Sequence, residues 1–283
     1  MITIFRNAFA RSRGAILGWG ISLGLYGLFL VQFYDTLAKQ QDQILQLLES
    51  YPPELMAFFG DVANITSPEG YLNLEFFSYA PLLVGIYAVL AGSGLLADDE
   101  EKGTLDLWLA HPVSRTGLFV GRLLAFLVSA TGILALTWLG FVVGKRWSEL
   151  FDLGGRELAL PFLSLLAVML FFGAFALLLS LLLPSRRLAA MVAGLALVAS
   201  FFVNGLARID ETLEKVARLL PLHYYQGGDA VAGLNGEWFF GLLTVAALFT
   251  LLAWQRFERR DIRVGGEGGW RFPRLAWKKP TQT

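Results

Sequence analysis

Few residues in this chain have the type or spacing for chemistry of their own. There is no cysteine, which excludes a disulfide framework, a thiolate nucleophile and a thiolate-ligated metal. The two histidines, His111 and His223, lie far apart in sequence and form no metal-ligand pair. No H-E-x-x-H is present, and no Ser, His and Asp stand in a nucleophile motif. Gly140-Phe-Val-Val-Gly144-Lys145 lacks one spacer residue and the hydroxyl of a phosphate-binding loop. His223 sits among Tyr224, Tyr225 and Asp229. With no second histidine nearby, it reads as a packing residue.

The densest polar run is Asp98-Asp-Glu-Glu-Lys-Gly-Thr-Leu-Asp-Leu-Trp-Leu-Ala-His-Pro-Val-Ser-Arg115. Asp98, Asp99, Glu100 and Glu101 follow an apolar stretch, and such a row of like charges costs self-repulsion unless something basic meets it. After Lys102 and Gly103, the residues Leu105, Trp108 and Leu109 fall at i, i+3, i+4, with Asp106 on another face. This spacing predicts a short amphipathic helix, started near Thr104 and stopped by Pro112. Such a helix can seat in a groove of a cytoplasmic partner; the plain alternative is an ordinary polar loop. Arg115 either pairs with the acids across the loop or reaches lipid phosphate.

These residues must be held by elements, and composition says which kind. Of the 283 residues 55% are apolar and only 16% charged, with a mean hydropathy of +0.57. A soluble domain carries about 25% charged residues. Six apolar stretches are long enough to cross roughly 30 Å of hydrocarbon as helices. They predict spans at about 14–34, 76–97, 118–144, 158–183, 188–207 and 238–255. A barrel would instead alternate polar and apolar residues over about ten positions. The expected fold is an all-α integral membrane protein, with a six-helix domain over 1–255 and a basic tail over 256–283. Basic and acidic residues number 23 each, so no bulk charge points to nucleic acid.

Orientation follows from Lys and Arg. Sixteen lie on the side holding the two termini and the second and fourth connections; seven lie on the other. Both termini are therefore expected in the cytoplasm. Lys145, Arg146 and Arg156, in the third connection, argue mildly against this. Ile2, Phe5 and Phe9 fall opposite Arg6, Arg11 and Arg13, which predicts a short interfacial helix in the headgroup plane ahead of the first span. That span is too long for a cleavable signal, so it reads as retained. In the first outer loop, Leu37, Ile44 and Leu48 predict an amphipathic helix broken at Pro52-Pro53. In the fifth connection, 210–220 has helical periodicity and 221–231 is apolar enough to dip into the leaflet edge.

Small residues mark possible subunit contacts: Gly14, Gly18, Gly20 and Gly24 in the first span, Ala190 and Gly194 in the fifth. The spans hold few polar side chains, among them Ser129, Thr131, Thr137, Ser180, Ser200, Asn204 and Thr244. They either line a path for a hydrophobic or amphipathic substrate (drug, lipid or peptide-like) or hydrogen-bond between helices. No charge lies in the middle of a span, where a proton-coupled carrier usually keeps one. The chain is thus either passive, as a channel or non-ATP-driven carrier, or driven by a partner.

Glu100-Glu101-Lys102-Gly103-Thr104-Leu105 followed by Ala110-His111-Pro112-Val113-Ser114-Arg115 resembles the cytoplasmic loop of ATP-binding-cassette (ABC) transporter permeases of type 2. The basic amphipathic N-terminus, six spans with both ends inside, the short fourth connection and the Pro221–Tyr225 outer segment are similar to that family too. The resemblance implies two membrane subunits with two cytoplasmic ATPase subunits on separate chains. ATP and Mg are then bound by those partners, and this chain is no enzyme and holds no cofactor. It also implies a multi-pass protein of the cell (inner or plasma) membrane, in contact with lipid. Asp98 to Leu105, with Trp108, Leu109, Pro112 and Arg115, would form the coupling segment; Trp108 and Leu109 would be anchors and the acids charged guides.

Overall fold

The computed structural model describes residues 2–40, 67–103 and 114–259, with isolated positions 43, 46 and 52. The described residues contain helices and no strand. Six helices are long and apolar enough to cross a membrane. They are α1 (Ile2–Ala38), α2 (Ala80–Gly94, extended outward to Pro68), α3 (Arg115–Gly144), α4 (Gly155–Leu182), α5 (Arg186–Leu206) and α6 (Gly236–Arg259). The first outer loop's expected helix, the Thr104–Val113 segment and the tail beyond Arg259 lie outside the described residues.

Local chemistry sets where the helices start. Ser114 Oγ accepts the Gly117 N–H ahead of α3, and Ser185 Oγ accepts the Leu188 N–H ahead of α5. Glu157 reaches back to the Gly154 N–H at the start of α4. Each satisfies a donor that a helix N-terminus leaves orphaned. Ser67 likewise caps Pro68–Leu72, which runs through a π turn at Asn73–Phe77 into α2. The second span therefore starts about two turns before its expected position; Glu75 had masked these residues by interrupting the apolar run.

The separate interfacial helix is not found. α1 runs unbroken for 37 residues, about 55 Å, well beyond the hydrocarbon thickness. No proline interrupts Ile2–Ala38. Ile4, not Ile2, faces inward, buried with Leu96, Leu118, Phe119, Leu181 and Phe257. That contact draws the N-terminal turns against the bundle, and the helix is continuous through Gly14.

α4 is the central helix, with Leu165, Val168, Met169 and Phe172 fully buried. It packs on α2, α3, α5 and α6, while α1 lies along α3. Two crossings depend on glycine. A Cβ on Gly140 of α3 would strike the Gly24 carbonyl of α1, and one on Gly92 of α2 would strike the Gly173 carbonyl of α4. Gly20 and Gly24, expected at a subunit contact, are buried against Leu136 and Thr137 of the same chain. Gly14, Gly18 and Gly194 have open space, and Ala190 packs partly on the core.

The outer segment closes the end of the bundle opposite Ile4. Leu222, Ala230 and Val231 are buried in 3-10 turns at Pro221–Tyr224 and Gly227–Ala232. Their backbone N–H groups are met from the helices: Leu222 by Ser200, Gln226 by Ser164 and Gly228 by Asn73. Helix Glu211–Ala217 precedes them, as periodicity predicts. His223 lies 5.8 Å from Trp238 of α6, between ring centroids, in the packing role read from its sequence context.

Candidate coupling segment and its charge cluster

α2 gives way at Leu95–Leu96 to one more turn of helix, Ala97–Glu101, which carries the four acids. Gly103, at φ +65°, ends it in a left-handed turn that a side chain would strain. Thr104, Leu105, Trp108, Leu109 and Pro112 fall outside the described residues. The chain resumes at Ser114, the cap of α3. Of the Pro-x-Ser-Arg pattern, the serine caps α3 and the arginine is its first residue.

The acids meet arginines from three other helices. Asp99 is 1% exposed and pairs with Arg122 of α3, itself 7% exposed. Arg11 of α1 reaches the other oxygen of Asp99 at 3.1 Å. Arg122 also donates to the Leu95 carbonyl at 2.7 Å, while its Nε is buried without a hydrogen-bond partner among the described residues. Asp98 pairs with Arg186 Nη1 of α5 at 2.5 Å and with Lys102 Nζ at 2.9 Å. Glu101 accepts the Arg186 backbone N–H at 2.9 Å. Partial burial raises the Asp98 pKa, but the Lys102 hydrogen bond and the Arg186 charge outweigh it and hold the carboxyl below its usual range.

Asp98, Asp99 and Glu101, expected as guides for a partner, thus make contacts within the chain. Arg115 donates to the Phe257 and Glu258 carbonyls at 3.3 Å each, capping the last turn of α6. Sequence reasoning missed Arg11, Arg122 and Arg186 as partners of the acids, although the self-repulsion of four adjacent carboxylates was the signal that such partners exist. Side by side at this end of the bundle stand the start of α1, the end of α2, the start of α3 and the end of α6.

Several polar residues of the spans serve their own helices. Ser129, Thr137, Ser180 and Thr244 donate to carbonyls three or four residues earlier, and Ser129 also meets Ser12 of α1 at 2.9 Å. Between α3, α4 and α6 lies a cleft of about 380 Å³ lined by Leu123, Leu127, Leu170, Leu177, Ala247 and Leu251. Thr250, also on its wall, donates to the Ala246 carbonyl.

No curated protein matches this chain. The family profile described as ABC-2 family transporter protein matches residues 3–262, which takes in all six spans, the acidic turn and the segment leading to Ser114. With that match across nearly its whole length, on a six-helix membrane bundle, the chain belongs to the ABC-2 family of transporter membrane proteins.

Proposed function

We propose that this chain is the permease subunit of an ATP-driven exporter, built from two membrane subunits and two cytoplasmic ATPase subunits on separate chains. The observation that carries the reading is the family match over residues 3–262 on a chain whose sequence has no phosphate-binding loop. The stretch from Asp98 to Arg115 is the coupling segment, with Leu105, Trp108 and Leu109 seated in an ATPase groove. ATP closes the two ATPases together and moves their grooves. The segment is tethered at both ends, to α2 and to α3, so its displacement enters two helices at once. Coupling is then the free-energy difference ATP makes between two arrangements of the bundle.

A hydrophobic or amphipathic substrate is supported by the apolar cleft beside α6 and by hydroxyls already spent on their own helices. The open glycines Gly14, Gly18 and Gly194 support subunit pairing through α1 and α5. Whether the second subunit is a copy or a homologue, the same small-residue faces serve. The membrane is the cell membrane, with both termini in the cytoplasm.

The test is co-purification with a co-expressed ABC ATPase, then substrate-dependent transport in vesicles. The permease is expected to retain the ATPase. Trp108→Ala is expected to weaken that association by about thirtyfold, the loss of a central aromatic anchor of roughly 2 kcal/mol, or to leave hydrolysis without transport. Glu100 and Glu101 reversed together should act more mildly and in a salt-dependent way. Full association and full transport in Trp108→Ala would remove the coupling role from this segment.

A further inference from the structure

The charge cluster beside the coupling segment has two grades of contact, and burial separates them. The Asp99 and Arg122 side chains are 2% and 9% exposed. Removing either partner leaves a buried charge short of its closest counter-charge, so this pair does not open in ordinary motion. The remaining contacts are wetter. Arg11 is 55% exposed where it touches Asp99, and Arg186 and Asp98 are 31% and 33% exposed where they touch each other. Water can replace each of these partners at little cost. A cavity of about 230 Å³, lined by Tyr87, Ser129 and the three arginines, adjoins the pairs and gives the freed side chains room.

The grades follow the connectivity. The buried pair joins the two helices that bracket the segment, the end of α2 and the start of α3. The exposed contacts join that unit to α1, through Arg11, and to α5, through Arg186. Glu101 adds a further bond to the α5 N-terminus. We infer that Asp99–Arg122 is a permanent weld making the end of α2 and α3 one rigid body. Arg186–Asp98 and Arg186–Glu101 form a latch that parts when this body moves away from α5, while α1, packed along α3, moves with the body and keeps Arg11 on Asp99. Arg122 and Asp99 are positioning residues for transmission; Arg186 sets which state the bundle rests in. The inference deepens the reading as an ATP-driven permease and rests on it only where transport is measured.

Two experiments test it. In the purified chain alone, Asp99→Asn and Arg122→Gln should each lower the melting temperature by about 5 °C or more, as loss of one member of a buried pair does. The apolar double variant Asp99→Leu/Arg122→Met should recover much of that, while Asp98→Asn and Arg186→Gln should shift melting little. Equal losses at both pairs would overturn the grading. In the complex, the absence of native cysteine allows Asp98→Cys/Arg186→Cys to be bridged by a short bifunctional thiol reagent. Bridging should cut transport about five- to a hundredfold, reversed by reductant, with the ATPase still bound. Unchanged transport after complete bridging would overturn the latch. Bridging is scored only on complexes that hold the ATPase and transport before the reagent is added. Failure of the wild-type chain to retain any ATPase bears on the proposed function and leaves the melting comparison to decide the weld.

Discussion

Ser114 carries more of the coupling geometry than its size implies. It caps α3 through the Gly117 N–H and so fixes where the segment re-enters the bundle. Ser114→Ala should cost about 1 kcal/mol, read as a small drop in melting temperature that Ser114→Asp restores. His223 offers a second test at this scale. Burial, and then the neighbouring Arg218 charge, lower its pKa against the opposing pull of Glu214. The unfolded chain therefore takes up the proton more readily than the folded one. No penalty exists above the ordinary value of about 6.5; it grows as the pH falls below that and levels off under the folded pKa. Melting of the wild type should thus drop between pH 7 and pH 5 by more than that of His223→Phe, and equal drops would take His223 out of the packing. His223→Ala should leave transport within a few fold, because the contacts of His223 are with Tyr224 and Trp238. The acids and the histidine were legible in the sequence; Ser114 was visible only as part of the Pro-Val-Ser-Arg turn, and its capping role came from the structure. The partners of the acids were not legible: Arg11 and Arg186 lie 88 residues from theirs, and only the side-by-side placement of α1, α2 and α5 brings them together.

At the scale of the helix, charge-free runs located all six spans, because hydrocarbon excludes charge however the helices pack. What packing decides was less legible. Ile4 finds a buried site among α3, α4 and α6, and α1 is continuous where amphipathicity alone predicted a surface helix. The glycines carry the same lesson, since a Gly-x-x-x-Gly pattern marks a close approach without saying to what. Gly24 meets Gly140 within the chain, and Gly18 meets nothing. Gly140→Leu should therefore force α1 off α3 and reduce the yield of folded, monodisperse protein, with a cost of about 1–3 kcal/mol for overpacking. Gly18→Leu should leave that yield unchanged and act, if α1 forms the subunit contact, on the dimer fraction in cross-linking. Loss of the fold in Gly18→Leu, with Gly140→Leu tolerated, would reverse the assignment of these two faces.

Over the whole molecule, the bundle has one end rich in arginine pairs and one closed by the outer segment. Ile4 near the start of α1 and Phe257 near the end of α6 share one cluster with Leu96 and Leu118. The two ends of the spanning domain thus leave it on the same side. Sixteen of the 23 basic residues fall on that side by sequence, and this bias is the ground for the proposed cytoplasmic orientation. The third connection had weighed against this, and the structure relieves part of the conflict. Lys145 Nζ donates to the Leu153 carbonyl at 2.6 Å and to the Asp152 carbonyl at 3.3 Å, so it serves its own turn. Reporter tags at residues 1 and 283 should therefore both read cytoplasmic, and a tag near Gln46 should read outside. The outcomes separate two ideas. Opposite readings for the two termini would contradict the shared cluster of Ile4 and Phe257, and with it the helix arrangement. Two outside readings would keep the bundle and invert it, leaving the Trp108 segment on the wrong side to meet an ATPase.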